Sequence, residues 1–142
     1  MPGNHDAYVP VPWKYGLAHL APYMTGDMAA TGSDSSFPYV RLRRNLAMIG
    51  LNSGVPQSLT KAAGSLGPKQ LEALPGLLHD LKAKGYYRVV MIHHPPLPGL
   101  APPRKALSDA ARLRGILASE GAELVLHGHN HRQMLNILAG LD

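Results

Sequence analysis

From Tyr39 onward the order of apolar and polar residues becomes regular. Tyr39 to Arg43 alternates apolar and basic side chains, while Leu46 to Leu51 is almost wholly apolar. Alternation marks a strand with one wet face and an unbroken apolar run marks a buried one. The pair, joined at Arg44-Asn45, therefore predicts a hairpin whose second strand is the more buried. Leu71, Leu74, Leu77, Leu78 and Leu81 then recur at helical spacing between Gly67-Pro68 and Lys84-Gly85. This predicts an amphipathic helix opened near Pro68 and stopped by Gly85, with Pro75 either kinking it or starting a second helix. Tyr87 to Ile92 shows little alternation, as a strand covered on both faces does, and Glu123 to Leu126 repeats the pattern. Between them a Pro-rich loop to Arg104 leads into a second predicted helix, Ser108 to Ser119, with Ser108 as N-cap and Gly121 as stop. Strand, helix, strand is a βαβ unit, so the fold class is α/β. Before Phe37 the pattern has no steady period and reads as loop with at most a short helix around Trp13 to Leu20.

Composition narrows the classes. Of 142 residues, 45% are hydrophobic and 16% charged, which excludes a disordered chain and a coiled coil. Gly and Pro together make up roughly 20%, against a usual ~12%, so long loops take up much of the chain. The absence of cysteine excludes disulfides, thiolate zinc sites and cysteine nucleophiles, and leaves eight histidines to carry any transition-metal chemistry. A net charge of +5 and a pI near 9.7 suit an anionic substrate. The basic residues are scattered, with only Arg41, Arg43 and Arg44 close together, so no nucleic-acid groove is expected. Arg41 and Arg43, on one strand face, read as a solvated edge that discourages strand pairing more readily than as a phosphate contact. No apolar run approaches a membrane span, and the first residues lack the basic and apolar regions of a signal peptide, so a soluble, cytoplasmic protein is expected.

Three histidine-bearing segments stand out: Gly3-Asn4-His5-Asp6, His93-His94-Pro95-Pro96 and Gly128-His129-Asn130-His131. Singly, each has a plain reading: a Gly/Asn/Asp turn, an exposed turn with one histidine capping a strand, and a pair of solvent-facing or structural histidines. The second and third, however, end two strands of one βαβ unit and should lie side by side. Such convergence is what a metal site requires. Imidazole suits Mn, Fe, Zn and Ni, and an amide oxygen such as that of Asn4 is a weaker, harder ligand. Trp13, Tyr15 and Tyr23 read equally as a substrate wall or as loop packing; His19 and His79 read as solvent-facing.

Together and in this order, the three segments resemble the last three of five motifs in the calcineurin-like metallophosphoesterase superfamily: D-x-H, G-D-x-x-D, G-N-H-(D/E), H-x-P and G-H-x-H. The resemblance runs from Met1 to about Gln133 and includes Gly67-Pro68-Lys69-Gln70-Leu71 at the head of the first long helix. It implies a β-sandwich flanked by helices, α/β or, by some schemes, α+β. It also implies two divalent ions (Mn, Fe, Zn or Ni) and hydrolysis of phosphodiester or phosphomonoester bonds in a phosphorylated small-molecule substrate. By the same resemblance Asn4, His93 and His129 bind one metal and His131 the other, and His5 is the acid or transition-state histidine, oriented by Asp6. The sequence departs from the family in its first two motifs. None of the six aspartates has a histidine two positions on, and Gly26-Asp27-Met28-Ala29-Ala30 fails G-D-x-x-D and follows G-N-H-D instead of preceding it. The bridging carboxylate is therefore missing. Residues 1–142 are expected to be the C-terminal portion of one such domain, a partial sandwich lacking its N-terminal strands. The alternative is a catalytically inactive metal-binding fragment, or half of a split enzyme needing an N-terminal partner chain. Self-association through uncovered edges is expected.

Overall fold

The computed structural model of the chain describes residues 1–7, 17–28, 37–56, 62–138 and 140. A short turn of helix, α1 (Asn4–Ala7), comes first. A 3-10 turn (Leu17–Leu20) follows and runs into α2 (Ala21–Met24). Strands β1 (Tyr39–Arg43) and β2 (Leu46–Gly50) form the expected hairpin. Arg44, at φ 54, takes the left-handed position of its two-residue turn. Helix α3 (Gly67–Ala83), strand β3 (Tyr87–Met91), a 3-10 turn (Pro103–Lys105), helix α4 (Ala110–Glu120) and strand β4 (Leu124–Leu126) complete the order. Trp13 and Tyr15, and with them the first part of the short helix expected there, lie outside the described residues. Tyr23 is exposed.

The strands form one mixed sheet in the order β1-β2-β3-β4. β1 runs antiparallel to β2, and β2, β3 and β4 run parallel. Register aligns Val40 with Ile49, Ile49 with Val90 and Val90 with Val125, a rung across all four strands. On this rung pack Leu71, Leu74, Leu78 and Leu81 of α3 and Leu113 and Leu117 of α4, all within one buried cluster. The helical periodicity thus marks the face that α3 lays on the sheet. Pro75 neither ends nor splits α3, which continues unbroken through it, because leucines on both sides of the proline are anchored in the core.

Three local expectations are corrected. β4 is not covered on both faces: Leu124 and Leu126 are 42% and 47% exposed, because β4 is the outer strand and pairs only with β3 among the described residues. Ser108 does not cap α4. Its hydroxyl donates to the Gly64 carbonyl at 3.0 Å, and the helix begins after Asp109. The Asp109 carboxylate reaches instead to the head of α3, accepting from Leu66 N at 2.9 Å, Gly67 N at 3.0 Å and Ser65 Oγ at 2.9 Å. Arg43 is solvated, as expected, but the edge that it and Arg41 lie on is not left bare. Arg41 donates to the carbonyls of Thr25 and Pro22, and Arg43 pairs with Asp27 at 2.8 Å. With Asp27 N donating to Val40 O at 2.7 Å, these bonds strap residues 22–28 along the outer edge of β1, so the edge is covered by chain.

The far end of the sheet is tied by Arg88, nearly fully buried, which pairs with Glu123 at 2.6 Å and donates to the carbonyls of Leu78 and Glu120. One guanidinium thereby joins α3, α4, β3 and the approach to β4. Among the described residues no helix is long and apolar enough to cross a membrane.

Candidate functional site

Because β2, β3 and β4 are parallel, their C-terminal ends open on one edge of the sheet, where ligands gather in α/β folds. Backbone pairing continues beyond the strands: Leu51 N donates to Met91 O at 2.9 Å, Ile92 N to Leu126 O at 3.0 Å and Gly128 N to His93 O at 3.0 Å. The last of these bonds sets the spacing between the His93 and His129 segments. Asn4 reaches the same edge from α1. That turn is closed by Gly3 N donating to Asp6 Oδ2 at 2.7 Å and Asp6 N to Gly3 O at 3.3 Å. Gly3 sits flat against the His93 imidazole, where a Cβ would lie 3.0 Å from its Cε1.

The outcome is a close triangle of donor atoms. Asn4 Oδ1 lies 2.6 Å from His93 Nε2 and 3.1 Å from His129 Nδ1, and the two ring nitrogens are 3.1 Å apart. Asn4 is 5% exposed. Burial lowers the pKa of His93, with the neighbouring His129 as the next cause. Burial likewise drives His129 down to about 4, with His94 next. Near neutral pH both rings are therefore uncharged, and each keeps one bare nitrogen able to accept or to ligate. His129 Nε2, on the far side of its ring, is buried without a hydrogen-bond partner. The Lys105 carbonyl lies near enough to favour a proton on the ring but falls short of hydrogen-bond geometry.

This donor set fits a divalent transition ion in kind and in spacing. Ligands about 2.1 Å from an ion and at right angles to one another stand about 3.0 Å apart, close to the separations above. It is poor in charge, since two imidazoles and an amide bring no carboxylate. Among the described residues no three His, Cys, Asp or Glu side chains gather as a cation cluster.

Three of the six expected site residues, Asn4, His93 and His129, thus come together. His131, at φ 52, is exposed, and its described link to the triangle is electrostatic, through small effects on His93 and His129. His5 and Asp6 lie on the exposed side of α1, with the Asp6 carboxylate engaged by Gly3 N–H. Sequence reasoning missed a supporting layer behind the triangle: His94, Ser53 and Gln70. Gln70, at the head of α3, grips the Asn52 backbone, accepting from its N–H at 2.9 Å and donating to its carbonyl at 2.8 Å. The signal was the polar Asn52-Ser53-Gly54 directly after an apolar strand, which matters only once β2 is known to run parallel to β3.

Fold and site together define an α/β protein with a polar cluster at the C-terminal edge of its parallel strands. The sequence profile of the calcineurin-like phosphoesterase family matches residues 1–133, and the chain belongs to that family. Comparison with curated proteins gave no match. The family acts on phosphoric esters and generally uses divalent metal ions.

Proposed function

We propose that these residues form the C-terminal, ligand-bearing part of a metal-dependent phosphoesterase domain that cleaves mono- or diesters of small phosphorylated molecules in the cytoplasm. The observation that carries this reading is the meeting of Asn4 Oδ1, His93 Nε2 and His129 Nδ1 within 3.1 Å of one another, on residues that match the family in order. Asn4, His93 and His129 hold one divalent ion, and His131 contributes to a second. Bound metal supplies charge at the phosphoryl oxygens and a water activated at neutral pH. The burial that keeps His93 and His129 neutral leaves their nitrogens free to ligate. His5, exposed on α1 beside Asn4, protonates the leaving oxygen, and the Asp6 carboxylate, bonded to Gly3 N–H, fixes the turn that carries it.

A second reading is favoured by the lack of any carboxylate in the triangle and of any D-x-H in the sequence. In it these residues are half of a site, holding one ion weakly and turning over only when a partner segment supplies the bridging aspartate. Calorimetry with Mn²⁺, beside hydrolysis of p-nitrophenyl phosphate and its bis-ester, separates the two. Both readings expect weak binding that His129→Ala reduces and His19→Ala does not. Turnover by the 142 residues alone supports the first, and binding without turnover supports the second. Equal effects of the two substitutions, or no Mn²⁺ binding at all, would remove both.

A further inference from the structure

Behind the triangle sits a histidine to which the proposed reaction gives no task. His94 is fully buried. Its Nε2 faces the Ala62 carbonyl at 3.0 Å and its Nδ1 faces Ser53 Oγ at 2.8 Å. A carbonyl only accepts, so Nε2 carries the hydrogen and Nδ1 accepts from the Ser53 hydroxyl. Ser53 Oγ in turn accepts from His94 N–H at 3.3 Å. Both the tautomer and the rotation of the ring are thereby fixed.

The supports are themselves anchored. Ser53 O accepts from Ser65 N at 3.2 Å. Gly64 donates to Ala106 O at 3.1 Å and accepts from Ser108 N at 2.9 Å. Gly64 also closes off the space beside the ring: a Cβ there would lie 2.3 Å from His94 Nδ1 and 2.6 Å from its Cε1. On its other side the His94 ring meets both imidazoles of the triangle. Its centroid is 4.4 Å from that of His129, tilted at 45°, and 5.0 Å from that of His93, edge-on at 90°.

Metal-ligating histidines are usually held from behind by a hydrogen bond from their other ring nitrogen. His129 Nε2 has no such bond among the described residues, so beyond its Nδ1 contacts in the triangle the plane of its ring is set by packing. We infer that His94, tethered by Ser53 and Ala62 and confined by Gly64, is a positioning residue that sets the ring planes of His93 and His129 so that their donor nitrogens meet at Asn4 Oδ1. The consequence for metal rests on the function proposed above; the ring placement does not.

The test uses the full chain and two readouts: Mn²⁺ affinity by calorimetry, and the ¹H–¹⁵N signals of the imidazole rings in metal-free protein. Ser53→Ala removes one tether, and Gly64→Ala drives a methyl into the ring without touching its chemistry. Leu117→Ala, in the core of α4, controls for general loss of stability. Loss of an outer-shell support typically weakens metal binding about 10–100-fold, and that is the expected effect of Ser53→Ala and of Gly64→Ala. Each should also shift the ring signals of His93 and His129, while Leu117→Ala leaves affinity and signals in place. Should Ser53→Ala fail to fold, Gly64→Ala and His94→Gln carry the same comparison. Unchanged His93 and His129 signals in folded Ser53→Ala or Gly64→Ala, or an equal change in Leu117→Ala, would overturn the inference. Wild-type protein that binds no Mn²⁺ would remove the proposed function, while the ring signals would still decide the role of His94.

Discussion

His129 and His131 take φ values of 71 and 52, a left-handed region that costs residues with a Cβ roughly 1–2 kcal/mol each. The sheet-like bond from Gly128 N to His93 O holds the chain there, and the same bend turns His129 Nδ1 toward Asn4. Burial of these rings has a consequence for stability. His93, His94 and His129 all have pKa values lowered by burial, His129 from 6.5 to about 4. Folding therefore favours their neutral forms, a contribution present in full above the unfolded value of about 6.5 and lost as pH falls through the folded values. The melting temperature of the metal-free chain should decline steadily from pH 7 toward pH 4. The carboxyls of Asp27 and Glu123, which their hydrogen bonds hold low, should add their own loss only below about pH 4.5. Thermal melts at constant ionic strength that stay flat between pH 7 and pH 5 would contradict this. His5 invites a different measurement, on the chain in whichever form turns over, alone or with the partner segment of the second reading. If it protonates the leaving oxygen, His5→Asn should slow an alkyl ester by about 10²–10⁴-fold. A nitrophenyl ester, whose leaving group needs no proton, should slow far less. A uniform loss at full metal occupancy would remove the acid role from His5 and leave the phosphoesterase reading standing.

At the scale of elements, the head of α3 is held from outside its own sequence. Asp109 satisfies the N–H groups of Leu66 and Gly67 and the hydroxyl of Ser65, the service a local N-cap residue would otherwise perform. Replacing a side-chain cap by alanine costs about 0.5–2 kcal/mol, and Asp109→Ala should fall in the upper half of that range because three partners are released together. Asp109→Asn, which keeps one acceptor, should cost less, as urea melts would show. A loss as small as that of an exposed control such as Glu72→Ala would mean that solvent caps the helix. Asp109 also shows why some features were legible in the sequence and others were not. Both long helices and all four strands follow from periods of two and 3.6 and from Gly and Pro at their ends, which are local properties. The role of Asp109, the straps from Arg41 and Arg43, and the exposed face of β4 depend on which segments become neighbours in space. The site divides along the same line. His93 and His129 could be placed at one edge because parallel strands end together, whereas Asn4, on α1, was assigned only through the family resemblance. Ser53 and Gly64 could not be placed, since the parallel pairing of β2 with β3 is invisible when β2 is read only as half of a hairpin.

At the scale of the whole molecule, one edge of the sheet is covered and the other is open among the described residues. Residues 22–28 run along β1, while β4 pairs only with β3 among the described residues and exposes Leu124 and Leu126. Leu135 and Ile137, a few residues further on, are 94% and 93% exposed. A strand edge with free backbone groups, flanked by apolar side chains, is a template for pairing with another chain. The net charge of +5 opposes that contact through a repulsion that salt screens within about 10 Å at 0.1 M. Self-association should therefore grow with protein concentration and grow further with added salt, the reverse of an assembly held by ion pairs. Leu135→Lys with Ile137→Lys should shift the population toward monomer. Both positions lie outside the triangle, so Mn²⁺ affinity should stay as it was. Sedimentation velocity across a range of protein and salt concentrations reads this directly. A wild-type chain that stays monomeric at every salt concentration would show that its own residues cover β4. Association that weakens as salt rises would place the contact on charged groups.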